Sequence, residues 1–192
     1  MKKRLLFSIV IVSLLIFSLP VSVLAEQRNG IVILYENDVH CEIEGYSVLS
    51  AMRNELKQEY EHVGIVTSGD YLQGGSLGSI SRGEYVVRLM NLVGYDAIAL
   101  GNHEFDYGMF GCMQVIDWAQ FPYTSCNFYN EAAGVRGESV LDAYVTFECG
   151  DEKIAFVGIT TPETFTKSTP AYFQNENGEY IYGIAGGEDG AA

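Results

Sequence analysis

Asp38, His40, Asp70, Asn102 and His103 are the residues of this 192-residue chain whose types and spacing point to chemistry. Two carboxylates, a carboxamide and two imidazoles offer the oxygen and nitrogen donors that suit a divalent metal ion. An Asp shared between two ions about 3.5–4 Å apart would let them activate a water and clamp both oxygens of a phosphoryl displacement. Such a reaction also needs a group that stabilises charge beside the metals. His103 suits that role, and Asp106, three residues on, can orient its imidazole.

Each of these groups follows a short apolar run. Ile31–Tyr35 leads into Glu36-Asn37-Asp38-Val39-His40, Val63–Val66 into Thr67-Ser68-Gly69-Asp70, and Ala97–Leu100 into Gly101-Asn102-His103-Glu104. The runs read as buried strands. Between them, Leu49, Met52 and Leu56 recur at helical spacing within Tyr46–Tyr60, with Arg53, Glu55 and Lys57 on the other face. Glu84–Val93 reads as a second helix closed by Gly94. Asp38 to Asp70 and Asp70 to Asn102 are each 32 residues, close to one ~30-residue βαβ unit. The repeat predicts a mainly parallel α/β sheet, with all five residues at the carboxyl ends of adjacent strands, where open sheets place ligands. A third helix is expected through Met113–Ala119. Val140–Cys149 and Lys153–Ile159 read as two strands joined at Gly150-Asp151.

Three ordered motifs carry a family likeness. Asn37-Asp38-x-His40, Gly69-Asp70-x-x-Gln73-Gly74 and Gly101-Asn102-His103-Glu104-Phe105-Asp106-Tyr107-Gly108 resemble those of the calcineurin-like metallophosphoesterases, in the form used by 5'-nucleotidases and UDP-sugar hydrolases. Gly83-Glu84-Tyr85, Val93–Ala97 and Gly158-Ile159-Thr160-Thr161-Pro162-Glu163 fit the same family, so the likeness runs roughly from Ile31 to Pro170. It implies the N-terminal part of a four-layer α-β-β-α sandwich, truncated. It further implies that Asp38 and His40 bind a first ion, Asp70 bridges two, and Asn102 binds the second, with zinc or manganese the metals expected. His103, paired with Asp106, would stabilise the reacting phosphate. The substrate implied is a small-molecule phosphate ester, a nucleotide among the candidates.

The chain also departs from that family. Relatives complete the site with a later histidine and a Gly-His-x-His or Gly-His-x-Gln motif, whereas the three histidines here end at His103. The second ion would keep only Asp70 and Asn102, so catalysis is expected to be weak. One sheet face is expected to expose apolar surface. Cys41 stands where the family usually has Gly, and reads as a tolerated loop substitution or as an extra soft ligand. A degenerate, non-catalytic domain that binds metal or ligand outside the cell is the competing reading. A third keeps the fold and changes the ester, to cyclic nucleotides or sugar nucleotides.

Lys2-Lys3-Arg4, the uncharged run Leu5–Leu19, Pro20 and the small residues before Ala25 have the order of a secretory signal peptide spanning 1–25. Its removal leaves eight Lys and Arg against 25 Asp and Glu, a formal charge of −17. Such a surface argues against nucleic acid polymers and anionic membranes as partners. A secreted, periplasmic or cell-surface location follows, with a partial catalytic domain over 26–182 and a Gly/Ala-rich frayed tail over 183–192. The four cysteines show no CxxC spacing, and Cys126 and Cys149 read as small buried strand residues. His62 reads as a solvated residue ahead of its strand.

Overall fold

A computed structural model describes residues 27–186. The proposed signal peptide and residues 187–192 lie outside that range. The first four strands, β1 (Arg28–Glu36), β2 (Tyr60–Thr67), β3 (Ala97–Ala99) and β4 (Tyr123–Thr124), form one parallel sheet in the order β1-β2-β3-β4. Its crossovers are α1 (Glu44–Glu59), the pair α2 (Ser76–Ser81) and α3 (Glu84–Val93), and α4 (Gly108–Trp118). Glu36 lies beside Thr67, Thr67 beside Ile98, and Ala99 beside Thr124. The carboxyl ends are therefore level, and each following loop starts from the same edge.

The α3 helix shows why these segments fold as they do. Val86, Val87, Met90 and Val93 bury one face, while Arg88 and Glu84 pair one turn apart at 2.7 Å on the other. Gly94 ends the helix in the left-handed conformation at φ 85°, its N–H donating to the Met90 carbonyl at 2.9 Å. The α1 helix starts earlier than its apolar pattern, at Glu44, and passes straight into β2 at Tyr60. Arg53 is not on its solvent face. The guanidinium meets both Asp96 carboxylate oxygens at 3.1 and 3.2 Å and donates to the carbonyls of Val93 and Gly94. It thus satisfies the orphan carbonyls at the end of α3.

The core lies between this sheet and its helices, around Ile65, Ile98, Leu100, Val86, Met90 and Val115. An aromatic cluster of Phe105, Phe128 and Phe173 extends it, with ring centroids 5.0 and 5.4 Å apart. That extension anchors a second, antiparallel sheet ordered β6-β5-β9, built from β5 (Phe128–Ala132), β6 (Val135–Ser139) and β9 (Tyr182–Ile184). The frayed tail expected from residue 183 is corrected here. Gly183 pairs with Tyr129, and Ile184 pairs with Phe128 and is buried, because an apolar strand end has a core to join.

β7 (Tyr144–Cys149) and β8 (Glu152–Val157) form the expected hairpin around Gly150-Asp151, apart from both sheets. A cleft of about 240 Å³ separates it from β1 and β2. His62 lies inside β2 rather than ahead of it. Its side chain lines this cleft, mostly buried, and its Nε2 has no hydrogen-bond partner among the described residues. Cys126 is in a bend rather than a strand and is partly exposed, whereas Cys149 is buried at the end of β7. Ile31, Ile33 and Tyr35 of β1 are exposed, as the unfilled sheet face requires. No helix of the described residues is long and apolar enough to cross a membrane.

Candidate metal centre

The loops beyond β1 and β2 are stitched together by backbone hydrogen bonds. Asp38 N–H donates to the Gly69 carbonyl at 3.2 Å, His40 N–H to that of Asp70 at 3.0 Å, and Cys41 N–H to that of Tyr71 at 3.0 Å. Asp38, His40, Cys41 and Asp70 all have left-handed backbones, with φ between 50 and 62°. That conformation costs a residue other than glycine roughly 1–2 kcal/mol, and Asp tolerates it better than His or Cys. Four such residues in two facing loops mark a place where the surroundings hold the backbone against its preference.

Asp38 Oδ1 and His40 Nε2 are 2.8 Å apart. The other ring nitrogen, His40 Nδ1, lies 2.8 Å from Gln73 Oε1 and 3.0 Å from the Gln73 carbonyl. Burial alone would lower the imidazole's pKa, but hydrogen bonds to Asp38 and Gln73 and the Asp38 charge outweigh it and leave the pKa raised. Both ring nitrogens face oxygen acceptors, an arrangement that favours the protonated ring.

His103 stands across from this pair, its ring centroid 4.7 Å from that of His40. Its Nδ1 lies 2.8 Å from Asp106 Oδ2, and its backbone N–H donates to Asp70 Oδ1 at 2.8 Å. Asp70 therefore touches both neighbouring loops, through its carbonyl to His40 and through its carboxylate to His103. Gly101 is packed so tightly that a Cβ there would overlap Asp70 Oδ1. Asn102 follows directly as the residue ahead of the 3-10 turn His103–Phe105. All six residues predicted from sequence are thus brought to one edge.

The donors suit a divalent ion by type and partly by placement. Ligand atoms bound about 2.1 Å from one ion at right angles lie about 3 Å apart, close to the Asp38–His40 separation. Gln73 would keep the Nδ1 proton in place, so that Nε2 is the nitrogen presented. Yet among the described residues no group of three or more His, Cys, Asp or Glu converges tightly enough to hold an ion as it stands. The Asp38 and His40 side chains are closed on each other, and Asp70 is turned to the His103 N–H.

Several residues outside the predicted set shape the site. The Glu104 carboxylate is fully buried and accepts the backbone N–H groups of Asp70, Tyr71 and Gly101. Burial raises its pKa to about 7, against the pull of those three bonds and helped by the Asp70 charge. Glu36, at the end of β1, accepts the Tyr95 hydroxyl at 2.5 Å. Asn127 binds both the N–H and the carbonyl of Thr160, and the Ala185 carbonyl, tying the loop after β4 to the Gly158–Glu163 motif. Its position after the fourth strand was the available signal. The Cys41 thiol faces the Tyr71 and Leu72 carbonyls, and burial raises its pKa.

Comparison with known proteins fits this geometry. The sequence profile of the calcineurin-like phosphoesterases matches residues 31–180. The chain belongs to that family. Among curated calcineurin-like relatives, Protein UshA of Salmonella pullorum is 36% identical over 127 residues, covering 66% of this chain and 22% of its own length. Snake venom 5'-nucleotidase of Gloydius brevicauda is 34% identical over 158 residues, covering 72% of this chain and 26% of its own. The chain thus spans about a quarter of the length of those relatives. A 5'-nucleotidase precursor from Thermus thermophilus shares the fold with a TM-score of 0.66 at 22% identity, over 84% of this chain and 33% of its own. YfkN of Bacillus subtilis, a calcineurin-like phosphoesterase, superposes at 0.63 over 80% of this chain and 53% of its own, at 22% identity.

Proposed function

We propose that this sheet edge is the metal-binding half of a 5'-nucleotidase-type site that hydrolyses a small-molecule phosphate ester. The observation that carries the reading is Asp38 Oδ1 and His40 Nε2 at 2.8 Å, beside Asp70 and facing the His103 ring. A divalent ion, zinc or manganese, supplies a water that deprotonates near neutral pH and a positive field in an otherwise acidic site. Asp38 and His40 would hold that ion, and Asp70 and Asn102 would offer oxygen donors to a second. Gln73 holds the His40 Nδ1 proton and leaves Nε2 to the metal. As an imidazolium, His103 would donate its Nδ1–H to Asp106 and its Nε2–H to a phosphate oxygen. Water adds to phosphorus, the ester P–O bond breaks, and the products are phosphate and the free alcohol.

Residues 1–25 direct the chain out of the cytoplasm on this reading, to a secreted, periplasmic or cell-surface location. The ester is a nucleotide or sugar nucleotide, by analogy with the 5'-nucleotidases among its relatives. Turnover by these 192 residues is weak, since His40 and His103 are the imidazoles they bring to this edge. A second reading is a domain that binds an ion without turnover, since Asp70 and Asn102 are the donors that a second ion would find in these residues. A phosphatase assay with AMP, UDP-glucose and p-nitrophenyl phosphate, with added Mn²⁺ or Zn²⁺, tests the first. Slow, metal-dependent release that His103→Ala abolishes supports it. Metal binding without release from any ester favours the second.

A further inference from the structure

We infer that Glu104 is the positioning residue of this site, the group that fixes Asp70 against the loop bearing Asn102 and His103; the inference rests on the metal-binding reading above. Glu104 Oε2 accepts two N–H groups at once, from Asp70 at 2.9 Å and from Gly101 at 2.7 Å. Oε1 accepts the N–H of Tyr71 at 3.2 Å. One oxygen therefore joins the loop after β2 to the loop after β3, between residues more than thirty positions apart in the chain. No cation pairs with this carboxylate among the described residues, so the backbone amides are what compensates its burial.

The two loops are shaped around that oxygen. A Cβ on Gly69 would lie 2.6 Å from Glu104 Oε2 and would overlap the Gly101 nitrogen, and Gly69 has φ 95°. Asp70, held in turn by its N–H, is fixed at φ 60°. From there its carbonyl receives the His40 N–H and its Oδ1 the His103 N–H. Every contact between the three site loops that passes through Asp70 thus depends on the Glu104 clamp. A glutamine of the same shape has one carbonyl oxygen, and its amide nitrogen would face at least one N–H with another donor. Loss of a hydrogen-bond partner behind the ligands typically weakens metal affinity 10–100-fold.

The test is Mn²⁺ titration of the full chain and of Glu104→Gln by calorimetry, with backbone amide exchange followed by NMR. Binding is expected to weaken 10–100-fold in the variant. The amides of Asp70, Tyr71 and Gly101 are expected to lose protection, while those of β1 keep theirs. Tyr123→Phe is the control, because it removes the Tyr71 hydroxyl's partner in the same core and should lower stability without moving Mn²⁺ affinity. Mn²⁺ affinity within threefold of the parent in Glu104→Gln overturns the inference. If the parent itself binds no Mn²⁺, the metal reading fails, and exchange at the three amides still decides whether Glu104 clamps the loops. If Glu104→Gln does not fold, the parent decides alone. Those three amides then exchange as slowly as the β2 ladder, and fast exchange at them overturns the inference.

Discussion

Substitution can separate what Asp70 does in the fold from the role proposed for it toward the metal. Its Oδ1 satisfies the His103 N–H, and its side chain makes a left-handed backbone tolerable. Asp70→Ala leaves that N–H without its acceptor, which costs about 1–3 kcal/mol, and places alanine at φ 60°, which adds about 1 kcal/mol. Relief of the repulsion between Asp70 and buried Glu104 offsets part of this, so a net loss of about 2 kcal/mol is expected. Asp70→Asn keeps an acceptor oxygen and a residue at ease in the left-handed region, and should stay within about 1 kcal/mol of the parent. Urea unfolding followed by circular dichroism, in chelator, reads both values. For a domain of this size the alanine variant should melt about 4–8 °C lower. Toward Mn²⁺ the two variants should behave alike, because an amide is a poor substitute for a charged ligand. The reasoning is refuted if Asn destabilises as much as Ala, or if Asn leaves Mn²⁺ affinity intact.

Other consequences can be checked more briefly. The raised pKa of His40 means that a proton competes with the ion for Nε2, so Mn²⁺ affinity measured by titration should fall as pH drops through neutrality. Glu104 titrates near 7 when folded and near 4.5 when unfolded, so its neutral form favours the fold. In chelator its contribution should be full below about pH 4.5 and disappear as pH rises through 7, a loss of about 3 kcal/mol that Glu104→Gln should flatten in pH-dependent unfolding. Gly158→Ala would drive a Cβ into the Thr124 carbonyl, so that strand end must shift, and a Tm drop of several degrees is expected. Arg53→Ala breaks a largely buried pair and strips the α3 carbonyls of their donor, a loss of about 3–5 kcal/mol by urea unfolding.

The sheet and the edge that gathers these residues were legible because Asp38, Asp70 and Asn102, each just past an apolar run, repeat at 32 residues and leave little freedom in where the strand ends fall. The polar residues after each apolar run had one place to go. Arg53 was misplaced because helical periodicity assigns faces to an isolated helix, and the carboxylate of Asp96 and the end of α3 are tertiary partners it does not see. Ile184 was misjudged for the same reason, since a Gly/Ala-rich segment gains a strand only when β5 offers it an edge and a core. Glu104 was visible in its motif but carried no role, because nothing in the sequence tells a buried carboxylate that accepts backbone amides from an exposed one. Gln73 gained its meaning only when its amide was found against His40 Nδ1.

The functional reading depends on whether Asp38, His40 and Asp70 hold a divalent ion. Calorimetric titration of the purified chain with Mn²⁺ at neutral pH, beside Asp70→Asn, is the measurement that reaches the claim most directly. The parent should bind a first ion per chain saturably, with a second site much weaker, and the variant should lose the first. No saturable binding by the parent, or equal binding by both proteins, would contradict it.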